Sequence, residues 1–231
     1  MPEKQGAWGE YYEHHAGRAP RPEFLHAVEL VKADGLPLGE KAALEIGAGN
    51  MIETKALLDA GFGRVVATDM TDGAERAAAS LQMDVNDFAT DLERLDFLKL
   101  PNEQLAPRLE PESMDLVTSY FCLPFTNPDA FPALWQAIVR SLKPGGVVSV
   151  TLFGDHDTWA QKTLADGSKA YPGMTFHTRE AVDALLADLE DVRVDEEEHD
   201  GTTNDGIARH WHTYSVQARR PTDTPAPSHL T

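Results

Sequence analysis

Apolar positions in this chain change period several times, and each change marks an element. Phe24, Ala27, Val28 and Val31 recur at helical spacing. They predict a helix that starts behind Pro20 and Pro22 and stops near Gly35 and Pro37. Ala42 to Ile46 is a short buried strand that runs into Gly47-Ala48-Gly49, and Ile52 to Ala60 a helix closed by Gly61. Arg64 to Asp69 is a β-branched strand, followed by a helix over Ala74 to Leu81. The pattern is weakest from Asp84 to Leu109, with a short strand expected at Leu95 to Leu98. Met114 to Tyr120 reads as a strand, Phe131 to Leu142 as a helix and Val147 to Phe153 as a strongly apolar strand. Thr178 to Leu189 predicts a last helix, and Val192 to Glu198 and His210 to Ala218 two closing strands.

Strands that alternate with helices of this length imply an α/β fold, a parallel sheet covered on both faces. The organisation expected is a helical N-terminal lid over 1–35, one sheet domain over 36–220, and a Pro-, Thr- and Ser-rich disordered tail over 221–231. At 231 residues and 42% apolar content the chain is long enough to bury a core without staples. Its formal net charge of −18 disfavours nucleic acid and anionic membranes as partners. Cys122 is the lone cysteine, which excludes an internal disulfide and a multi-cysteine zinc site. No secretory signal and no transmembrane run is read, so a cytoplasmic protein is expected, monomeric or homodimeric.

The sharpest chemical feature is Leu44-Glu45-Ile46-Gly47-Ala48-Gly49-Asn50, with Asp69 ending the next strand 20 residues beyond Gly49. Small residues after a first strand let a ligand approach the backbone, and an acid ending the second strand accepts bonds from ribose hydroxyls. A dinucleotide loop needs a third glycine, where Met51 or Ile52 stands here. Glu45, two residues before the first glycine, would repel a phosphate and face an amine or a cation. S-adenosylmethionine has a ribose, a sulfonium, an ammonium and no phosphate, so it fits better than NAD.

In this order and spacing the motifs resemble those of the class I S-adenosylmethionine-dependent methyltransferases, over roughly Trp8 to Arg219. Glu45 to Gly49 is similar to their first motif and Val66-Ala67-Thr68-Asp69-Met70 to their ribose-binding segment. Leu95-Asp96-Phe97 is similar to the adenine-contacting segment, Ser113 to Val117 with Ser119-Tyr120-Phe121 to the fourth-strand motif, and Leu142 to Val147 to the turn into the fifth strand. Gly17 to Pro22, Phe153 to Trp159, Met174 to Arg179 and Arg209 to His212 resemble a bacterial tellurite-resistance-type (TehB-like) group. The resemblance implies a three-layer, doubly wound, Rossmann-like sheet of seven strands in the order 3-2-1-4-5-7-6, with strand 7 antiparallel. It also implies methyl transfer, with S-adenosylhomocysteine as product.

The cofactor set expected is Glu45, Gly47, Ala48, Gly49, Asn50, Asp69, Met70, Asp96, Phe97 and Tyr120. Trp8, Tyr11, Tyr12, Arg18, Phe121, Phe125, His156 and His210 are expected on the side of a small-molecule acceptor. Tyr120, Tyr12 and His14 are the catalytic candidates, and Arg18 or Arg21 would meet the methionine carboxylate or an anionic substrate. No metal site is expected: His210 and His212 share a strand face, but two ligands without a placed third make a weak site. Cys122 reads as a small core filler, and Asp195 to Glu198 as a solvated strand end. The competing readings are tellurite- or selenite-type oxyanion methylation, and a cyclase, lyase, decarboxylase or cofactor sensor on the same sheet. An NAD-linked dehydrogenase is more distant.

Overall fold

The computed structural model describes residues 8, 9, 12, 14–86, 94–203 and 206–222. The strands are β1 (Ala42–Ile46), β2 (Arg64–Asp69), β3 (Leu95–Lys99), β4 (Met114–Ser119), β5 (Leu142–Phe153), β6 (Glu190–Thr202) and β7 (Ala208–Arg219). Around them lie α1 (Pro22–Lys32), α2 (Ile52–Ala60), α3 (Asp72–Asn86), α4 (Phe131–Ser141), α5 (Thr158–Gln161) and α6 (Arg179–Leu185). The sheet order is β3-β2-β1-β4-β5-β7-β6. The first five strands pair in parallel, and β7 runs antiparallel to both β5 and β6. This is the order and the handed exception that the family resemblance implies.

Successive strand residues point to opposite faces, and here both faces are covered. Ala43, Val65, Leu116 and Val147 face one layer, where they meet Phe24 and Val28 of α1, Leu57 of α2 and Ala74 and Ala78 of α3. Their neighbours Leu44, Val66, Val117 and Val148 face the other, against Leu134, Trp135 and Ile138 of α4 and Val182 of α6. Every residue of β1 is therefore buried, which explains its nearly unbroken apolar run.

Several boundaries move. Helix α3 begins at Asp72, before the expected Ala74, and α6 stops at Leu185, with Leu186 and Leu189 still buried in the turns beyond it. The last two strands are longer than their apolar patterns. The β5–β7 ladder ends at Phe153↔Thr213, whereas β6–β7 pairing continues to Thr202↔Ala208. A two-stranded ribbon thus overhangs the carboxyl end of β5. Asp195 to Glu198 consequently lie in the middle of β6 and not at a strand end.

One buried ion pair fastens that ribbon. Asp157 accepts from Arg209 Nε at 3.1 Å and Nη2 at 2.8 Å, and caps α5 by accepting from the Trp159 backbone at 2.9 Å. Both charged side chains are almost wholly buried, at 1% and 0% exposure. The guanidinium carbon lies 3.5 Å from the Trp159 ring centre and 3.6 Å from that of Trp211. Cation–π contact of this kind strengthens when water is excluded. Among the described residues no helix is long and apolar enough to cross a membrane.

Removing one member of such a pair leaves an uncompensated charge. Asp157→Ala is expected to destabilise the fold by about 3–5 kcal/mol. Asp157→Ala combined with Arg209→Met should lose less. Urea unfolding of both variants checks the order.

Candidate functional site

The chain leaves β1 through a tight loop that only glycine accommodates well at its first turn. Gly47 has a φ of +78°, and a Cβ there would overlap Cβ and Sγ of Cys122. The Gly47 and Ala48 amides both donate to the Thr68 carbonyl, at 2.8 and 2.9 Å, which ties the loop to the end of β2. Met51, at the place of a dinucleotide loop's third glycine, takes a left-handed backbone with φ +59° and is 2% exposed. The loop therefore keeps a glycine-like geometry there with a side chain that fills the core beneath α2. Such a conformation costs roughly 1–2 kcal/mol in a residue that has a Cβ.

Asp69 closes β2 directly opposite this loop. Its carboxylate accepts from the Gly49 amide at 3.0 Å and from the Thr71 amide and hydroxyl at 2.9 and 2.8 Å. The Tyr12 hydroxyl donates to the same carboxylate at 3.3 Å, and the Tyr12 carbonyl accepts from Asn50 Nδ2 at 2.6 Å. The Tyr12 ring lies over Gly49, where a Cβ would come within 2.9 Å of it. Tyr12, expected on the acceptor side, thus sits over the glycine loop. Burial and the neighbouring Asp69 charge push its phenol well above its usual range, so it stays protonated.

A pocket opens beside the loop, lined among others by Arg18, Arg21, Glu45, Gly47, Glu53 and Tyr120. Glu45 is buried and accepts from the Thr54 hydroxyl. Burial, then the charge of Glu53, push its carboxyl up to about 8, against the pull of the Thr54 bond and of Arg18. Glu53 is 3% exposed and grips both Arg18 Nη atoms, at 2.6 and 2.7 Å. The backbone amide of Arg21 donates to the same carboxylate at 3.2 Å. Arg21 Nε is buried without a hydrogen-bond partner, and its guanidinium lies 4.7 Å from the centre of the Phe121 ring. Phe121 holds that ring from a left-handed backbone with φ +57°.

Tyr120 shares a 2.8 Å hydrogen bond with the Ser149 hydroxyl, which also accepts from Gln217 Nε2 at 3.2 Å. Burial raises its phenol well above the ordinary range. Tyr120 therefore acts as a neutral hydrogen-bonding group and does not supply a ready base. The Cys122 thiol, pressed against Gly47, is pushed by burial up to about 12 and stays protonated.

Aromatic rings form a cluster outside the lining of this pocket. Trp8 meets Phe125 edge-on at 5.0 Å, and Phe125 meets Phe153 and Trp159 at 6.2 and 6.3 Å. Phe121 packs on Phe153 at 6.0 Å, so Trp8, Phe121 and Phe125 join one ring cluster through Phe125 and Phe153. Tyr11 lies outside the described residues.

Other expected residues fall elsewhere. Asp96 pairs opposite Val66 in the middle of β3 and forms an ion pair with Arg64 at 3.0 Å, and Phe97 lies opposite Ala67. The part of that strand reaching Asp69 is its carboxyl end, where the Leu100 amide donates to the Asp69 carbonyl at 3.0 Å. Met70 follows Asp69 and is 43% exposed. His14 is exposed, and it is His15 that lines the pocket.

His156 and His210 belong to an ion-pair cluster on the ribbon. Each meets the Glu198 carboxylate at 3.0 Å, and His210 Nδ1 meets Asp200 at 2.8 Å. These bonds raise both imidazoles and hold Glu198 down to about 2. His212 is buried; its Nδ1 accepts from the His156 amide at 3.1 Å, so Nε2 carries the proton and donates to Glu196 at 3.1 Å.

Glu53, Thr54, Thr71, Ser149 and Gln217 entered no motif. For Glu53 a signal existed: it stands four residues before Leu57, on the buried stripe of α2. An acid on an apolar stripe asks for a buried partner.

A methyltransferase domain family matches residues 44–150. No curated protein matches the chain at significance. Among solved structures, TehB from Haemophilus influenzae superposes with a TM-score of 0.61 at 14% identity, over 84% of this chain and 62% of that one. Phosphoethanolamine N-methyltransferase 2 from Haemonchus contortus, bound to phosphomonomethylethanolamine and S-adenosylhomocysteine, gives 0.60 at 17%, over 94% and 58%. The 1,6-didemethyltoxoflavin-N1-methyltransferase of Burkholderia thailandensis gives 0.54 at 19%, over 96% and 91%. The chain thus spans about three-fifths of the first two and nearly all of the third.

Gly47→Ala combines a left-handed backbone with overpacking against Cys122, and should destabilise by about 2–5 kcal/mol. Adding Cys122→Gly removes the overlapping atoms and should restore part of that loss. Thermal unfolding of the single and double variants reads the difference.

Proposed function

We propose, on the premise that this chain carries a class I methyltransferase domain, that it moves the methyl group of S-adenosylmethionine to an O, N or S atom of a small molecule. The observation that carries this reading is the charge pattern around the glycine loop. Asp69, held by Gly49 and Thr71, offers carboxylate oxygens suited to ribose hydroxyls. Glu45 suits an ammonium. Arg18 is committed to Glu53, which leaves Arg21 as the cation for the methionine carboxylate. The buried carboxylates of Glu45 and Glu53 oppose a pyrophosphate.

The sulfonium supplies an activated methyl group: its S–CH₃ bond breaks as the bond to the acceptor forms, and any acceptor proton leaves to a base. The chain's own share is positioning, which alone can lower such a barrier substantially. Tyr120, beside the loop, is fixed through Ser149 and Gln217 as a neutral hydrogen-bonding group. The ring cluster that includes Trp8, Phe121 and Phe125 suits an acceptor with a flat or apolar body. Small-molecule acceptors of the Haemonchus and Burkholderia proteins support the same class here. The oxyanion reading asks for Arg18, Arg21 and the histidines around one pocket. The two arginines and His15 line it, while His156 and His210 are engaged by Glu198 on the ribbon.

Calorimetric titration with S-adenosylmethionine and S-adenosylhomocysteine tests the reading. The wild type should bind both, and Asp69→Ala should weaken both by about tenfold or more, as expected for lost bonds to a charged group. Failure of the folded wild type to bind either ligand overturns the proposal. Mass analysis of an acceptor screen separates transfer, which leaves S-adenosylhomocysteine, from cyclase, lyase or sensor chemistry.

A pH dependence follows from Glu45. An ammonium prefers the ionised carboxylate, and in the free protein that group holds its proton below about 8. Affinity should therefore rise as pH climbs towards that value and fall in mild acid. Glu45→Gln should flatten the protein's part of this profile.

A further inference from the structure

We infer that Glu53 is a positioning residue that couples closure of the N-terminal segment to capture of the ligand's ammonium group at Glu45. This rests on the S-adenosylmethionine reading above. Glu53 connects two parts of the site that do not bond each other directly. On one side it holds the segment, through the bidentate Arg18 pair at 2.6 and 2.7 Å and the Arg21 amide at 3.2 Å. On the other it neighbours Thr54, whose hydroxyl donates to Glu45. Two buried carboxylates thus stand on one site, with the guanidinium of Arg18 bonded to Glu53.

Like charges in a buried site oppose each other's ionisation, and a nearby cation relieves the opposition. With Arg18 seated, its charge offsets part of that opposition and lowers the pH at which Glu45 ionises to meet an ammonium. With the segment lifted, the Arg18 cation is withdrawn from the two buried carboxylates, and Glu45 favours its protonated form. Ligand binding and segment closure then favour each other, and this coupling is reciprocal. Among the described residues, the other titratable or charged groups around Glu45 are Tyr12, His15 and Arg21 from the segment and Tyr120 and Cys122 beyond β4. None of these five forms the ion pair with Glu53, and Arg21 keeps its guanidinium over Phe121.

The test is calorimetric titration of the full chain with S-adenosylmethionine across a pH series, on wild type, Glu53→Gln and Arg18→Gln. The ligand's own amine titrates alike in all three, so only differences between proteins are read. Removing the Glu53 charge should move the midpoint of the affinity profile to lower pH by about one unit, and removing the Arg18 charge should move it higher by a similar amount. A plain structural clamp would instead weaken binding in both variants by one factor at every pH, and that outcome overturns the coupling. So does displacement of both midpoints in one direction. Arg18 is partly exposed, and if Glu53→Gln does not fold, Arg18→Gln decides: a midpoint that fails to rise overturns the inference. No binding by folded wild type defeats the functional reading itself, and this inference with it.

Discussion

β1 and β4 are neighbours in the sheet, yet the helices that follow them pack on opposite faces: α2 joins the layer of Phe24 and Leu57, while α4 joins that of Leu134 and Ile138. The two departing segments must diverge, and a crevice opens between them at the carboxyl ends of the strands. Everything assigned to the site depends on that divergence. Gly47 and Cys122 are the residues at which the segments still touch, and their tight contact sets the floor of the crevice. The left-handed backbones of Met51 and Phe121 stand close to that contact in sequence, one on each departing segment. Strain held at such positions is sustained by the packed layers beneath.

Charge inside the crevice contrasts with charge outside it. The chain as a whole is strongly acidic, at −18, which in water costs little per group. Glu45 and Glu53 are different because they are buried, so each needs a cation or a proton. The acidic surplus on the surface bears on solubility and partners, whereas the buried pair bears on which ligand the crevice can hold. One residue type therefore does two unrelated jobs, and burial alone separates them.

Where periodicity was strong, the sequence was an accurate guide. β1, α2 and β2 fall on the residues that their apolar runs and flanking glycines mark, because burial on both faces leaves a plain apolar signature. The glycine loop and Asp69 were legible for a similar reason: close backbone approach restricts residue type. The place of Asp96 was not legible, because motif spacing does not say how far along a strand a residue lies, and pairing opposite Val66 puts it short of the carboxyl end. The partners of His156 and His210 were hidden because they are carboxylates brought in by the pairing of β6 with β7, which no local pattern reveals. The ribbon's extra length was equally hidden. It depends on Asp157 and Arg209, which are 52 residues apart and carry no periodicity.

The long outer strand has a consequence for the molecule among its own copies. β6 is thirteen residues long and lies at the rim of the sheet, with its far side unpaired in the described structure. A flat, apolar rim of that length would serve as a template on which another chain could add a strand. Here Asp195, Glu196, Glu197 and Glu198 follow one another along it, so a second rim laid against the first would set carboxylate against carboxylate on both faces. The sheet is thereby self-limiting at this side: it can be crowded without being extended, and fibre-like growth has no foothold there.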